Sequence, residues 1–165
     1  MSTAIPWIDC ASISNFPTVG FGPDSLKLEE YYYSIVREFR KAETLGRMEE
    51  ALQSLNEVVM ECSEKGWDGY DARPIAEAAY NDARRLIENL PLTSFIPMPE
   101  IIPEPGGEIG LEWSKGSRQV FVVSVIGDNE VIYAGLFGTN KTHGTEYFGD
   151  SLPSIVIENL KRLYH

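Results

Sequence analysis

The chain has 165 residues, 43% hydrophobic and 24% charged, with 14 Lys+Arg against 25 Asp+Glu and a formal net charge of −11. A length of this order fits one domain that buries enough apolar surface to fold without metal or disulfide, and 3 Trp, 8 Tyr and 7 Phe exclude a disordered chain. Acidic residues outnumber basic ones in both halves, which excludes a phosphate-binding surface of clustered Lys/Arg, so no nucleic-acid partner is expected.

The first ten residues hold no basic segment and no sustained apolar run, so no secretory signal is expected. Apolar runs such as Val120–Val123 fall far short of the roughly 20 residues a membrane-spanning helix needs. A cytoplasmic location follows, with no membrane partner and with Cys10 and Cys62 reduced. Residues 1–25 carry Pro6, Pro17, Pro23, Gly20 and Gly22 and read as an irregular arm. Trp7, Ile8, Phe16 and Phe21 are too apolar for a solvated tail, and part of the arm is expected to pack on the body or on a partner. Residues 26–165 read as a single α+β domain, with a helical part over 26–91 and a sheet and C-terminal helix over 99–165.

Helical spacing opens that domain. Leu28, Tyr32, Ile35, Phe39 and Ala42 recur at steps of three and four, as do Met48, Leu52, Leu55, Val59 and Cys62. The phase breaks between Ala42 and Met48, at Gly46, which predicts either a helical hairpin or one long helix with local overwinding. Gly66 is a left-handed stop. A further helix opens at Pro74 and closes at Pro91, with Ile75, Ala79, Ala83, Leu86, Ile87 and Leu90 on its apolar face. Pro97, Pro99, Pro103 and Pro105 predict an extended connection with room for a short edge strand at 100–102.

The period then switches to two. Ile109, Leu111 and Trp113 share one strand face, Gln119–Ile126 is apolar on both faces as a central strand would be, and Gly127-Asp128-Asn129-Glu130 is a hairpin turn. Val131–Phe137 and Thr142–Phe148 complete a four-stranded antiparallel meander, and a final helix with Leu152, Val156, Leu160 and Leu163 inward packs on the sheet. Helices, then strands, then a helix make the class α+β.

No reaction is written in the motifs. A Gly-x-Ser-x-Gly elbow, a His-Glu-x-x-His, a Cys-x-x-Cys and a phosphate-binding loop are all lacking. The only histidines, His143 and His165, sit after a turn and at the last position. Asp68 and Asp71 lack the alternating oxygen ligands of a calcium loop. Glu108 and Glu112, about 13 Å apart along a strand, exceed the spacing of a glycosidase carboxylate pair. No catalytic residue, metal or cofactor is therefore assigned.

The feature that stands out is Trp67-Asp68-Gly69-Tyr70 after Gly66. It predicts a structural turn in which Gly66 stops a helix and Trp67 and Tyr70 lock neighbouring elements; the functional alternative is an aromatic recognition patch. With Ala72, Pro74, Leu90-Pro91, Pro99–Pro103, Gly106-Gly107 and Leu111-Glu112-Trp113, this turn resembles a family of small uncharacterised bacterial proteins with a Gly-Trp-Asp-Gly-Tyr turn and a Leu-Glu-Trp strand. The resemblance runs from Gly66 to the C-terminus. It implies a bacterial or phage origin and a cytosolic location, and no reaction. The expectation is a non-enzymatic protein-binding or regulatory protein, antitoxin-like or an accessory subunit. Its expected partners are a basic protein suited to the acidic surface and a second copy bound through the N-terminal helices. The alternatives are an enzyme with a carboxylate site drawn from Asp68, Asp71, Glu108 or Glu112, and a structural homo-oligomer.

Overall fold

The computed structural model describes residues 23–91 and 96–164; the arm up to residue 22, with Cys10, and the C-terminal His165 lie outside the described residues. The chain divides into two units, Met1–Glu38 and Phe39–His165. Helix α1 (Pro23–Glu61) begins in the first and ends in the second. The helical hairpin at Gly46 does not form. Thr44 Oγ1 donates to Arg40 O at 2.7 Å, one turn back, and nothing lies within 4 Å of where a Gly46 Cβ would be. A single glycine costs a helix only about 1 kcal/mol, so the phase break shifts the apolar face without ending the helix.

In the second unit, α1 contributes Ala51 and Leu55 to the buried set, and Cys62, just past its end, is buried with them. Helix α2 (Glu77–Glu88) starts three residues after Pro74. The reason is local pairing: Ile75 N–H donates to Cys62 O and Ala76 N–H to Gly107 O, which holds residues 75–76 extended until Glu77. Tyr80 of α2 donates its hydroxyl to Asn56 Oδ1 of α1 at 2.7 Å.

The sheet has five strands rather than four. The extra one is β1 (Glu100–Pro103), whose prolines suit an edge position. It is followed by β2 (Ile109–Gly116), β3 (Gln119–Gly127), β4 (Glu130–Phe137) and β5 (Asn140–Tyr147), antiparallel in the order β1-β2-β3-β4-β5. The β3–β4 turn has Asp128 and Asn129 at φ 56 and 62, the backbone that a two-residue hairpin requires. Helix α3 (Ser154–Tyr164) closes the chain.

Both α2 and α3 pack on the sheet. The inner face supplies Ile109, Leu111, Trp113, Phe121, Val123, Val125 and Val131, which form one cluster with Leu55, Leu86, Ile87, Val156 and Leu160. Strand β3 is central, as its sequence predicts, yet it is buried on one face only. Phe121, Val123 and Val125 are inaccessible, while Val120, Val122, Ser124 and Ile126 on the outer face are half-buried. Helices α2 and α3 both cover the inner face, so the expectation of burial on both faces is corrected.

Candidate functional site

The turn after α1 is built by its glycines and by one carboxylate. Gly66 (φ 77) and Gly69 (φ 83) take backbone that other residues rarely adopt. Asp68 Oδ1 accepts from the N–H of Tyr70 at 2.9 Å and of Ala72 at 3.2 Å, an Asx turn that satisfies two loop donors. Gly66 N–H donates to Ala72 O, and Arg73 N–H to Pro105 O, so the turn is tied to the connection between β1 and β2.

The aromatics divide. Trp67 is half-buried and donates Nε1–H to Arg73 O at 2.8 Å. Tyr70 is 90% exposed and locks nothing; Asp68 turns the chain back with its ring left outside. Trp113 is fully buried on β2 and donates Nε1–H to Pro97 O at 2.9 Å, a core position with no surface to offer. Asp71 is exposed and pairs with Lys65 at 2.9 Å. A half-buried ring leaves a smaller cavity than a core tryptophan. Trp67→Ala is therefore expected to lower stability by about 1–2 kcal/mol, short of the roughly 3–5 typical of a core site, with urea denaturation as the measurement.

Glu112 lies on the outer face of β2, directly opposite Glu100 of β1. Glu104 reaches the same face, where its Oε1 accepts from Ser124 Oγ. His143 lies exposed on β5, in register with Ala134. Among the described residues no group of three or more His, Cys, Asp or Glu side chains is placed to hold a metal ion. Burial first, and then the neighbouring Glu61 carboxylate, raise the pKa of the Cys62 thiol, which disfavours the nucleophilic thiolate.

Two further features stand out. One is a polar cluster between α2 and the β3–β4 turn. Asp82 accepts from Asn129 N–H and from Arg85 Nη2, each at 2.8 Å; Arg85 Nη2 also donates to Asn129 Oδ1. Its only sequence signal is a charged pair at i, i+3 beside the apolar face of α2.

The other is the opening of α1 in the first unit. Leu26, Leu28, Tyr31, Tyr32 and Tyr33 are all exposed there, Leu28 at 69%, and the rings of Tyr32 and Tyr33 meet edge to face at 5.9 Å. Consecutive helical positions are about 100° apart, so three successive tyrosines span too much of the circumference for one packing surface to bury. Among the described residues no helix is long and apolar enough to cross a membrane. Compared with protein-family models, curated proteins and solved structures, the chain finds no match.

Proposed function

We propose that this chain is a non-enzymatic protein-binding or regulatory protein of bacterial or phage origin, acting in the cytoplasm, and that it engages a basic partner through the opening of α1. The observation that carries the reading is the set of five large apolar and aromatic side chains exposed between Leu26 and Tyr33. Tyrosine is among the residues that dominate interface energies, because it covers a large area at little entropic cost. Apolar side chains on a helix fit a groove on a partner. The net charge of −11 favours a partner of opposite sign and speeds encounter with it.

The test is a paired affinity capture from the host, with wild-type chain and Leu28→Asp/Tyr32→Asp as baits, read by mass spectrometry. The expected result is a basic protein retained by the wild type and reduced at least tenfold on the variant, since losing two interface anchors at about 1–2 kcal/mol each exceeds the 1.4 kcal/mol of a tenfold change. Equal recovery on both baits, or none on either, counts against this segment as the docking site.

A further inference from the structure

The outer face of the sheet combines an apolar stripe with an excess of negative charge. An antiparallel sheet with one solvated face alternates apolar with polar residues along each strand. Strands β3 and β4 depart from that pattern. Val120, Val122 and Ile126 point outward from β3, and Ile132, Ala134 and Leu136 from β4, with Val120 opposite Leu136 and Val122 opposite Ala134. Ile132 is 44% exposed, and an exposed apolar patch marks an interaction site.

Carboxylates flank the stripe. Glu100 and Glu112 stand directly opposite each other on β1 and β2, in the row that continues through Val122 and Ala134. Glu104 reaches over β2, where a Cβ at Gly110 would come within 3.0 Å of its Oε1, and the same oxygen accepts from Ser124 Oγ. Glu130, exposed, closes the stripe at the β3–β4 hairpin. Among the outward strand positions Lys141 is the one cation, on β5 opposite Leu136. Like charges directly opposite in an antiparallel pair destabilise it, and a cation over Glu100 and Glu112 relieves that repulsion. A face of this composition repels its own copy and complements a basic partner.

We infer that the outer face of β3 and β4 seats a basic amphipathic helix of a partner protein, its apolar side on the stripe and its Lys or Arg side chains over Glu100, Glu104, Glu112 and Glu130. A helix fits where an extended segment does not. Strands β3 and β4 are interior and pair with a neighbour on each side, so this face offers side chains alone, and a helix satisfies its own backbone groups. The dimensions agree. Two strands about 4.8 Å apart, with their outward side chains, match a helix about 10 Å across. Positions 120–126 span about 20 Å, the length of roughly 13 helical residues. The chain's own N-terminal arm does not carry the charge, since residues 1–22 hold Asp9 and no Lys or Arg. The contact uses no residue of α1.

Methyl NMR of the full chain tests the inference, with a synthetic amphipathic peptide of about 13 residues, Leu on one side and Lys on the other, as the probe. The methyl signals of Val120, Val122, Ile126, Ile132 and Leu136 are expected to shift on titration. A dissociation constant of roughly 10–100 µM suits a contact smaller than a standard interface. The same peptide with Glu in place of Lys is expected to leave those signals unmoved. Glu100→Lys/Glu112→Lys should weaken binding about five- to tenfold, since two attractions become repulsions. Ile132→Lys should weaken it at least about tenfold by placing a charge in the stripe. Dispersed amide spectra show that both variants fold. Leu28→Asp/Tyr32→Asp should bind the peptide as the wild type does, which separates this site from the opening of α1. Shifts confined to α1, shifts spread over acidic side chains with the stripe unmoved, or wild-type affinity in both sheet variants overturn the inference. Contacts of these methyl groups in the free chain with residues 1–22, or with a second copy, also overturn it by naming another occupant.

Discussion

Replacing Phe121 by alanine is expected to lower the stability of the protein by about 3–5 kcal/mol, the range for removing a fully buried aromatic ring. Phe121 is inaccessible near the start of β3, with ring centroids 6.2 Å from Trp113, 6.2 Å from Tyr133 and 6.4 Å from Phe137. The row spans β2 to β4, and Arg162 of α3 closes its far end over Phe137 at 4.3 Å. Gly135 leaves room for the ring, since a Cβ there would come within 3.1 Å of Phe121 Cδ2. With neighbours on the strands to either side and a helix layer above, the surroundings collapse little into the space left by alanine, and the cavity term adds to the lost transfer energy. Phe121→Leu retains most of the volume and is expected to cost about 1–1.5 kcal/mol. Tyr70→Ala, at a side chain 90% exposed, serves as the contrast and should stay within about 0.5 kcal/mol of wild type. Urea denaturation reads all three through the midpoint at unchanged slope.

That row shows why the sheet was legible in the sequence. Period two places Ile109, Leu111 and Trp113 on one face, and Gly127-Asp128-Asn129 marks the β3–β4 hairpin, so the order of the meander follows from local chemistry. The short strand β1 sits where the prolines leave room for an edge strand, and it forms because Ile101 and Ile102 find Leu111 and Gly110 across the gap; what the count of four missed is that this segment joins the same sheet. Period alone also shows which residues share a face of β3 without showing whether one layer or two covers it, and the apolar outer residues read as core. Likewise the steps of three and four from Leu28 to Ala42 mark an apolar seam, and Leu28, Tyr32 and Phe39 on it are exposed. Helical periodicity states which residues share a stripe; burial depends on what else in the chain is available to meet it. At the candidate turn, Gly66, Asp68 and Gly69 were legible because φ and Asx chemistry are local. The opposite fates of Trp67 and Tyr70 depend on where residues 73 and 105 run, and were not.

The Asp82 cluster is the second place where a single change is expected to have a large effect. Asp82 lies on the buried side of α2, 12% exposed at its side chain, and its two oxygens serve different partners: Oδ2 accepts the Asn129 backbone N–H and Oδ1 the Arg85 guanidinium. The Asn129 carbonyl in turn accepts from Phe148 N–H at 2.8 Å, and Arg85 lies over the Phe148 ring at 4.7 Å. One carboxylate thereby fastens the tip of the β3–β4 hairpin to the helix layer and to the segment leaving β5. Asp82→Ala strands a backbone donor and an arginine together. Hydrogen bonds to charged groups are worth about 1.5–3 kcal/mol, and Arg85, 35% exposed, regains water in part, so a loss of about 2–3 kcal/mol is expected rather than the full sum. Arg85→Ala leaves Asp82 its backbone donor and should cost about 1–2 kcal/mol, including the ring contact. Because the two side chains share one network, Asp82→Ala/Arg85→Ala is expected to cost at least about 0.5 kcal/mol less than the sum of the singles. Additivity would show that Asp82 acts on Asn129 alone. Hydrogen exchange locates the effect: amides of β4 next to the turn should lose protection in Asp82→Ala beyond what the global change accounts for, since a hairpin released from its helix opens as a unit before the rest of the sheet.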